Sequence, residues 1–207
     1  MIKVFLGGEG ANDLGTRHRD PMGSDPGVAE VLLRRVRPEG WSVVGARQWK
    51  SIRKYRAGAA AKRADHDDVR NVLGLVLEAY EHACEMLVFL RDSDGDALLA
   101  PAIQRIVAEL PGYGFMAEYH YDLAVVAGVP EPKLEAWIAC LLGVSGTDAM
   151  TGAGADRELV ARGVELKSTT RYVELAQRGS LPRTAGSLFT WLEAATLSFA
   201  RLIDGTH

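Results

Sequence analysis

Apolar residues fall along this chain in short runs that alternate with longer stretches of helical period. Ile2 to Leu6 is an apolar run closed by glycines, the pattern of a buried strand ending in a tight turn. Gly7 to Ser24 reads as a long polar loop. Asp25-Pro26 then marks a helix start, with Val28, Val31, Leu32 and Val36 on one face and Pro38-Glu39-Gly40 as the stop. Trp41 to Ala46 predicts a second strand, and Asp65 to about Ala83 a long helix with Val69, Leu73, Val76, Leu77 and Tyr80 inward. Met86 to Leu90 is the strongest strand pattern. A helix from about Ala97 to Leu110 follows, then strands at Tyr113–Tyr119 and Asp122–Ala127, and a helix over Lys133–Leu142. Gly143 to Ala155 reads as a glycine-rich loop, and the last fifty residues as helical, broken at Pro182.

Strands alternating with helices predict an α/β fold: a mainly parallel central sheet flanked by helices, with a helical C-terminal extension. At 207 residues the chain is expected to be a single domain, with its core over about 1–145 and the elaboration over about 156–204. No stretch approaches the roughly 18 apolar residues of a membrane span. The apolar run near the N-terminus is too short for a signal peptide, and Cys84 and Cys140 form no paired motif. A cytoplasmic protein with no membrane partner is the expectation.

Charge adds a local feature. The formal net charge is −3, which excludes binding to nucleic acid through bulk charge. Yet Arg47 to Ala64 holds seven basic residues and no acidic one, leaving 17 basic against 27 acidic side chains elsewhere. Arg47, Lys50, Arg53, Lys54 and Arg56, with Trp49 and Tyr55 among them, form a candidate nucleic-acid contact, the cations meeting phosphates and the aromatics stacking on bases. The alternative is an exposed basic segment with its aromatics turned inward.

Two loops leave strand ends, the edge where open α/β sheets bind ligands. The first carries Glu9 and Asp13; the second carries Asp92, Asp94 and Asp96. Asp92 and Asp94, two positions apart, point to the same side if the segment is extended. Carboxylates held that close repel one another, and a hard divalent cation reverses the balance. Glu9 from the first loop completes a candidate Mg²⁺ site. The same Asp-Ser-Asp-Gly-Asp run is also good turn chemistry. It is not an EF-hand loop, because the twelfth position from Asp92 is Ile103 rather than Glu. P-loop, nucleophile-elbow and complete dinucleotide motifs are missing from the chain.

Strand, Gly8-Glu9-Gly10-x-x-Asp13, helix, and a later strand followed by Asp92-x-Asp94 resemble the Toprim domain over roughly residues 1–130. Val129-Pro130-Glu131-Pro132-Lys133-Leu134-Glu135-Ala136-Trp137 looks like a segment of the small stand-alone Toprim-like proteins of the DUF4276 group. The resemblance extends to the Toprim domains of overcoming-lysogenization-defect (OLD) type nucleases, whose first Glu is followed four residues later by a second; here that position is Asp13. It implies a metal-dependent phosphoryl-transfer site. Glu9, Asp92 and Asp94 would be catalytic, and Glu9, Asp13, Asp92 and Asp94 would hold Mg²⁺ or Mn²⁺.

Glu135 is either a further metal carboxylate or, paired at i, i+4 with Glu131, a solvated one; Trp137 is a core residue in the second case. Lys167 is a candidate phosphate or transition-state contact, or a solvated lysine on a helix face. Arg17, His18 and Arg19 are candidates for positive charge beside the site.

The expected function is a divalent-metal-dependent nuclease that hydrolyses phosphodiesters of DNA or RNA, in a phage-defence setting with a separately encoded ATPase. The alternative is a catalytically silent Toprim-like binding subunit of an ATPase-containing complex. A third option is a phosphatase or nucleotide-processing enzyme using the same acidic edge. Assembly into a homo-oligomer is compatible with all three.

Overall fold

A computed structural model describes residues 1–20, 23–54, 67–113, 122–183 and 186–205. Four strands, β1 (Ile2–Gly8), β2 (Trp41–Gln48), β3 (Met86–Leu90) and β4 (Ala124–Gly128), form one sheet in the order β2-β1-β3-β4. Each neighbouring pair is parallel. Eight helices accompany it among the described residues: α1 (Ala11–Leu14), α2 (Val28–Val36), α3 (Asp67–Glu81), α4 (Leu99–Glu109), α5 (Leu134–Leu141), α6 (Gly152–Ala161), α7 (Thr169–Arg178) and α8 (Ser187–Asp204). The protein is therefore an α/β fold with a parallel central sheet.

Side-chain alternation divides the interior into two layers. Val4 and Leu6 of β1, with Met86, Val88 and Leu90 of β3, face a core shared with α2, α5, α7 and α8. Phe5, Leu87 and Phe89 face the opposite core, shared with α3 and α4. The handedness of parallel crossovers explains the division. The chain moves one way from β1 to β2 and the other way from β2 to β3 and β4. A right-handed connection must then place α2 on one face and α3 and α4 on the other.

The C-terminal helices belong to the first core. Tyr172, Trp191 and Phe199 are buried there together with Trp137. Trp137 and Trp191 lie 5.5 Å apart by ring centroids.

Several boundaries differ from expectation. Within the expected Gly7–Ser24 loop lie α1 and a 3-10 turn over Gly15–His18. Helix α2 is capped at Gly27 rather than Asp25, because Asp25 is held to Thr16: Thr16 N–H donates to its carbonyl, and its own N–H donates to Thr16 Oγ1. The expected Gly143–Ala155 loop gives way to α6. Thr151 caps that helix by accepting from Gly154 N–H at 3.1 Å, and Ala155 and Leu159 are buried, which offsets the weak helix propensity of the two glycines. The expected Tyr113–Tyr119 strand falls almost wholly outside the described residues. Among the described residues no helix is long and apolar enough to cross a membrane.

Candidate functional site

The strand order reverses direction between β1 and β3, and the crevice beyond their carboxyl ends is the expected ligand position in such a sheet. Glu9 follows β1 and Asp92 lies two residues beyond β3, on neighbouring strands that pair Gly7 with Phe89. The Asp92 N–H donates to Glu9 Oε1 at 3.1 Å. From the far side of Glu9, Gln48 at the end of β2 donates from Nε2 to the Glu9 carbonyl at 2.7 Å.

Asp13 enters the same cluster from the third position of α1. Its Oδ2 accepts the Glu9 N–H at 2.5 Å and the Gly10 N–H at 3.4 Å, so the carboxylate closes its own turn. The preceding glycine is required by crowding: a Cβ on Gly8 would sit 2.6 Å from Asp13 Cβ and 3.0 Å from Leu14 Cγ. Asp13 is buried. Burial pushes its carboxyl up to about 7; the Glu9 and Gly10 N–H groups work against that, and the charges of Glu9 and Glu135 add to it.

Asp92 turns inward and accepts the Leu134 N–H, the first of α5, at 2.9 Å. Burial, and then the charges of Asp13, Glu9 and Glu135, push its carboxyl up to about 8 against the pull of that N–H. Glu135 is buried in the first turn of α5. Tyr172 donates to its Oε1 at 3.0 Å, and Lys133 Nζ lies 3.9 Å from its Oε2 and 2.7 Å from Asp156. Glu131 precedes the helix, so the solvated i, i+4 pair does not form. Trp137 is fully buried.

Asp94 takes a different course from Asp92. The loop is not extended: Asp94 has φ +50°, and the Ser93 and Asp94 N–H groups are tied to the Pro130 and Pro132 carbonyls. The Asp94 side chain is 67% exposed and faces Arg91 at 3.3 Å. The two carboxylates thus do not share a side, as the spacing alone suggested.

Lys167 stands in a turn before α7 rather than on a helix, with φ +62° and an exposed side chain. Its link to the cluster runs through its main chain, whose N–H donates to Tyr172 Oη at 3.1 Å. Arg17 is engaged away from the cluster, bonded by Nε to the buried Glu30 at 2.8 Å.

Arg91, which the motif reading passed over, is central. It pairs with Glu9 through Nη1 and with Asp68 through Nε at 3.4 Å, and lies 5.9 Å above the Trp49 ring. Burial works against its charge, but Glu9 and Asp68 outweigh it and hold the guanidinium more firmly protonated than usual. Its position directly after a strand and before Asp92 was the available signal. Tyr172, 37 residues from Glu135, gave none.

The basic segment leaves β2 at this same edge. Trp49 is buried, donates from Nε1 to Asp68 at 2.8 Å and packs 5.7 Å from Phe89, so it is turned inward and cannot stack on a base. Ile52 is buried beside it. Lys50 and Arg53 are exposed and Lys54 is half-buried, while Arg47 is bonded to Glu78 at 2.6 Å. Arg56 and Tyr55 lie outside the described residues.

Among the described residues no three His, Cys, Asp or Glu side chains form a metal-holding group as they stand. The donor chemistry nonetheless fits a hard divalent cation. Glu9, Asp13, Asp92 and Glu135 offer only oxygen and act on one another electrostatically, and burial raises the proton affinity of Asp13 and Asp92. Comparisons of the chain with protein-family models, with curated proteins and with solved structures find no match.

Proposed function

We propose that the protein is a divalent-metal-dependent nuclease that hydrolyses phosphodiesters of DNA or RNA at the β1/β3 edge. The observation that carries this reading is the meeting of Glu9, Asp13, Asp92 and Glu135 there, with Asp13 and Asp92 pushed up to about 7 and about 8. Clustered carboxylates with displaced proton affinities in a crevice are a frequent mark of a working site. Asp13, Asp92 and Glu135 would hold Mg²⁺ or Mn²⁺. Such an ion, when bound, supplies Lewis acidity and eases ionisation of water.

The chain's own residues divide the remaining work. Arg91 and the Asp92 N–H orient the Glu9 side chain, which would accept a proton from the attacking water. Lys50, Arg53 and Lys54 follow β2 and would attract the polyanion. The resemblance to Toprim nucleases motivates the same assignment and adds a separately encoded ATPase as partner.

A second reading follows from Arg91, which already neutralises Glu9. On that reading the chain is a silent Toprim-like subunit that binds nucleic acid or an ATPase. Incubation with plasmid DNA and total RNA in Mg²⁺ or Mn²⁺ separates the two. The nuclease reading expects cleavage by the wild type and loss of at least about 100-fold in Asp92→Asn and in Glu9→Gln. Undiminished cleavage in both variants contradicts it, and an inert wild type favours the silent subunit.

A further inference from the structure

The outward face of α8 carries apolar side chains that packing in its own chain does not explain. Leu188, Trp191, Leu192, Ala195 and Phe199 form its buried stripe and sit in the first core. Leu197 lies on the opposite side of the helix from that stripe and is 70% exposed. Ala200 and Ile203 follow it at three-residue steps, both exposed, so the three make one apolar ridge along the last two turns.

Charge brackets Leu197 symmetrically. Glu193 stands four residues before it and Arg201 four after it; both are exposed, and neither pairs with another side chain among the described residues. A twofold axis passing beside Leu197 sets a second α8 antiparallel on the first and makes this patch complementary to itself. Each residue before Leu197 then meets, at the same height, the residue equally far beyond Leu197 in the second copy. Glu193 faces Arg201 of the second copy, and the pair occurs twice, once on each side of the Leu197 contact. Thr190 and Asp204, seven residues out in either direction, face one another at the next level. A parallel arrangement would instead set Glu193 against its own copy, like charge on like.

We propose that this face of α8 is a docking surface for a second copy of the chain, closing an antiparallel twofold dimer with Leu197 at its centre and Glu193–Arg201 ion pairs at its flanks. The helix is about 27 Å long, and a single helix pair of that length covers less than roughly 1,000 Å². The dimer is therefore a weak one, formed at high protein concentration and low ionic strength. It is independent of the nuclease reading, since none of its residues belongs to the acidic cluster.

Sedimentation equilibrium of the full chain at low salt and up to roughly 1 mM protein tests this, with thermal melting of each variant read in parallel. The wild type is expected to pass from monomer towards dimer as concentration rises, and back towards monomer as salt is added. Glu193→Arg and Arg201→Glu each oppose like charges and are expected to weaken association about 10-fold. The double variant exchanges the two charges and is expected to restore it. Leu197→Lys is expected to abolish the dimer. All three positions are exposed, so the melting temperatures should stay near that of the wild type. A wild type that is monomeric throughout overturns the proposal and leaves the face to a different partner. A dimer that the single variants leave intact overturns it too, placing the contact elsewhere, as does a double variant that associates no better than either single one.

Discussion

Asp92 gives up its proton against its burial first and the surrounding negative charge second, and the folded state bears that cost once the pH is high enough. Unfolded, the carboxyl titrates near 3.8; folded and metal-free, near 8. Between those values the native state keeps a proton that the unfolded chain has released, so this group's contribution to stability falls as pH rises and levels off above about 8. Asp92→Asn removes the effect. The variant's stability should match the wild type's near pH 4 and exceed it above pH 8, by several kcal/mol at most. A difference that stays constant with pH would contradict the assignment of Asp92 as the strained carboxyl. By the same linkage, Mn²⁺ uptake at pH 7 should release protons, seen as a binding enthalpy that varies with the ionisation enthalpy of the buffer.

The elements that carry the site are short, and their tolerances are narrow. The β1–α1 turn brings Asp13 back onto the Glu9 N–H because Gly8 offers no Cβ. Gly8→Ala must push Asp13 or Leu14 aside, and the atoms it meets are not the free ends of flexible side chains. A loss of about 1–3 kcal/mol is expected in denaturant unfolding, with Mn²⁺ affinity reduced as well. Unchanged stability and affinity would show that the turn can relax without cost.

That β1 ends at its glycines was readable in advance, but α1 within the expected Gly7–Ser24 loop was not. Strand β3 was readable too, its five apolar residues spanning the sheet as Met86–Leu90. The geometry of the second loop was not readable. Asp92 faces inward, accepting the Leu134 N–H, and Asp94 faces outward with its own N–H donating to the Pro132 carbonyl, two contacts made from some forty residues away. For Trp49 the sequence left both orientations open, and the inward one holds because its indole finds Asp68 and Phe89, partners from other elements. Tertiary contacts decide such orientations, and local spacing does not encode them.

On the scale of the whole molecule, the first core joins the sheet to the last helices. Trp191 and Phe199 of α8 and Tyr172 of α7 are buried in one apolar cluster with Val4, Leu6 and Val88. A chain ending at residue 150 would expose that face of the sheet and lose the Tyr172 contact to Glu135. It should show no cooperative thermal transition and should expose apolar surface to a hydrophobic dye. Cooperative melting of the shortened chain would mean that the C-terminal helices are an independent addition.

The charge arrangement also has a molecular logic. Lys50 and Arg53 are exposed just beyond β2, within a chain whose net charge is only −3. On the proposed nuclease reading they would draw a polyanion to the edge where the carboxylates sit, and its affinity should then fall steeply with salt.

The most direct test of the central claim is an anomalous difference map from crystals of the full chain soaked in Mn²⁺ at pH 8. The account predicts a peak at the β1/β3 edge, ligated by oxygens from among Glu9, Asp13, Asp92 and Glu135, and absent in Asp92→Asn. A map with no peak there, or with Mn²⁺ held only elsewhere on the protein, would contradict it.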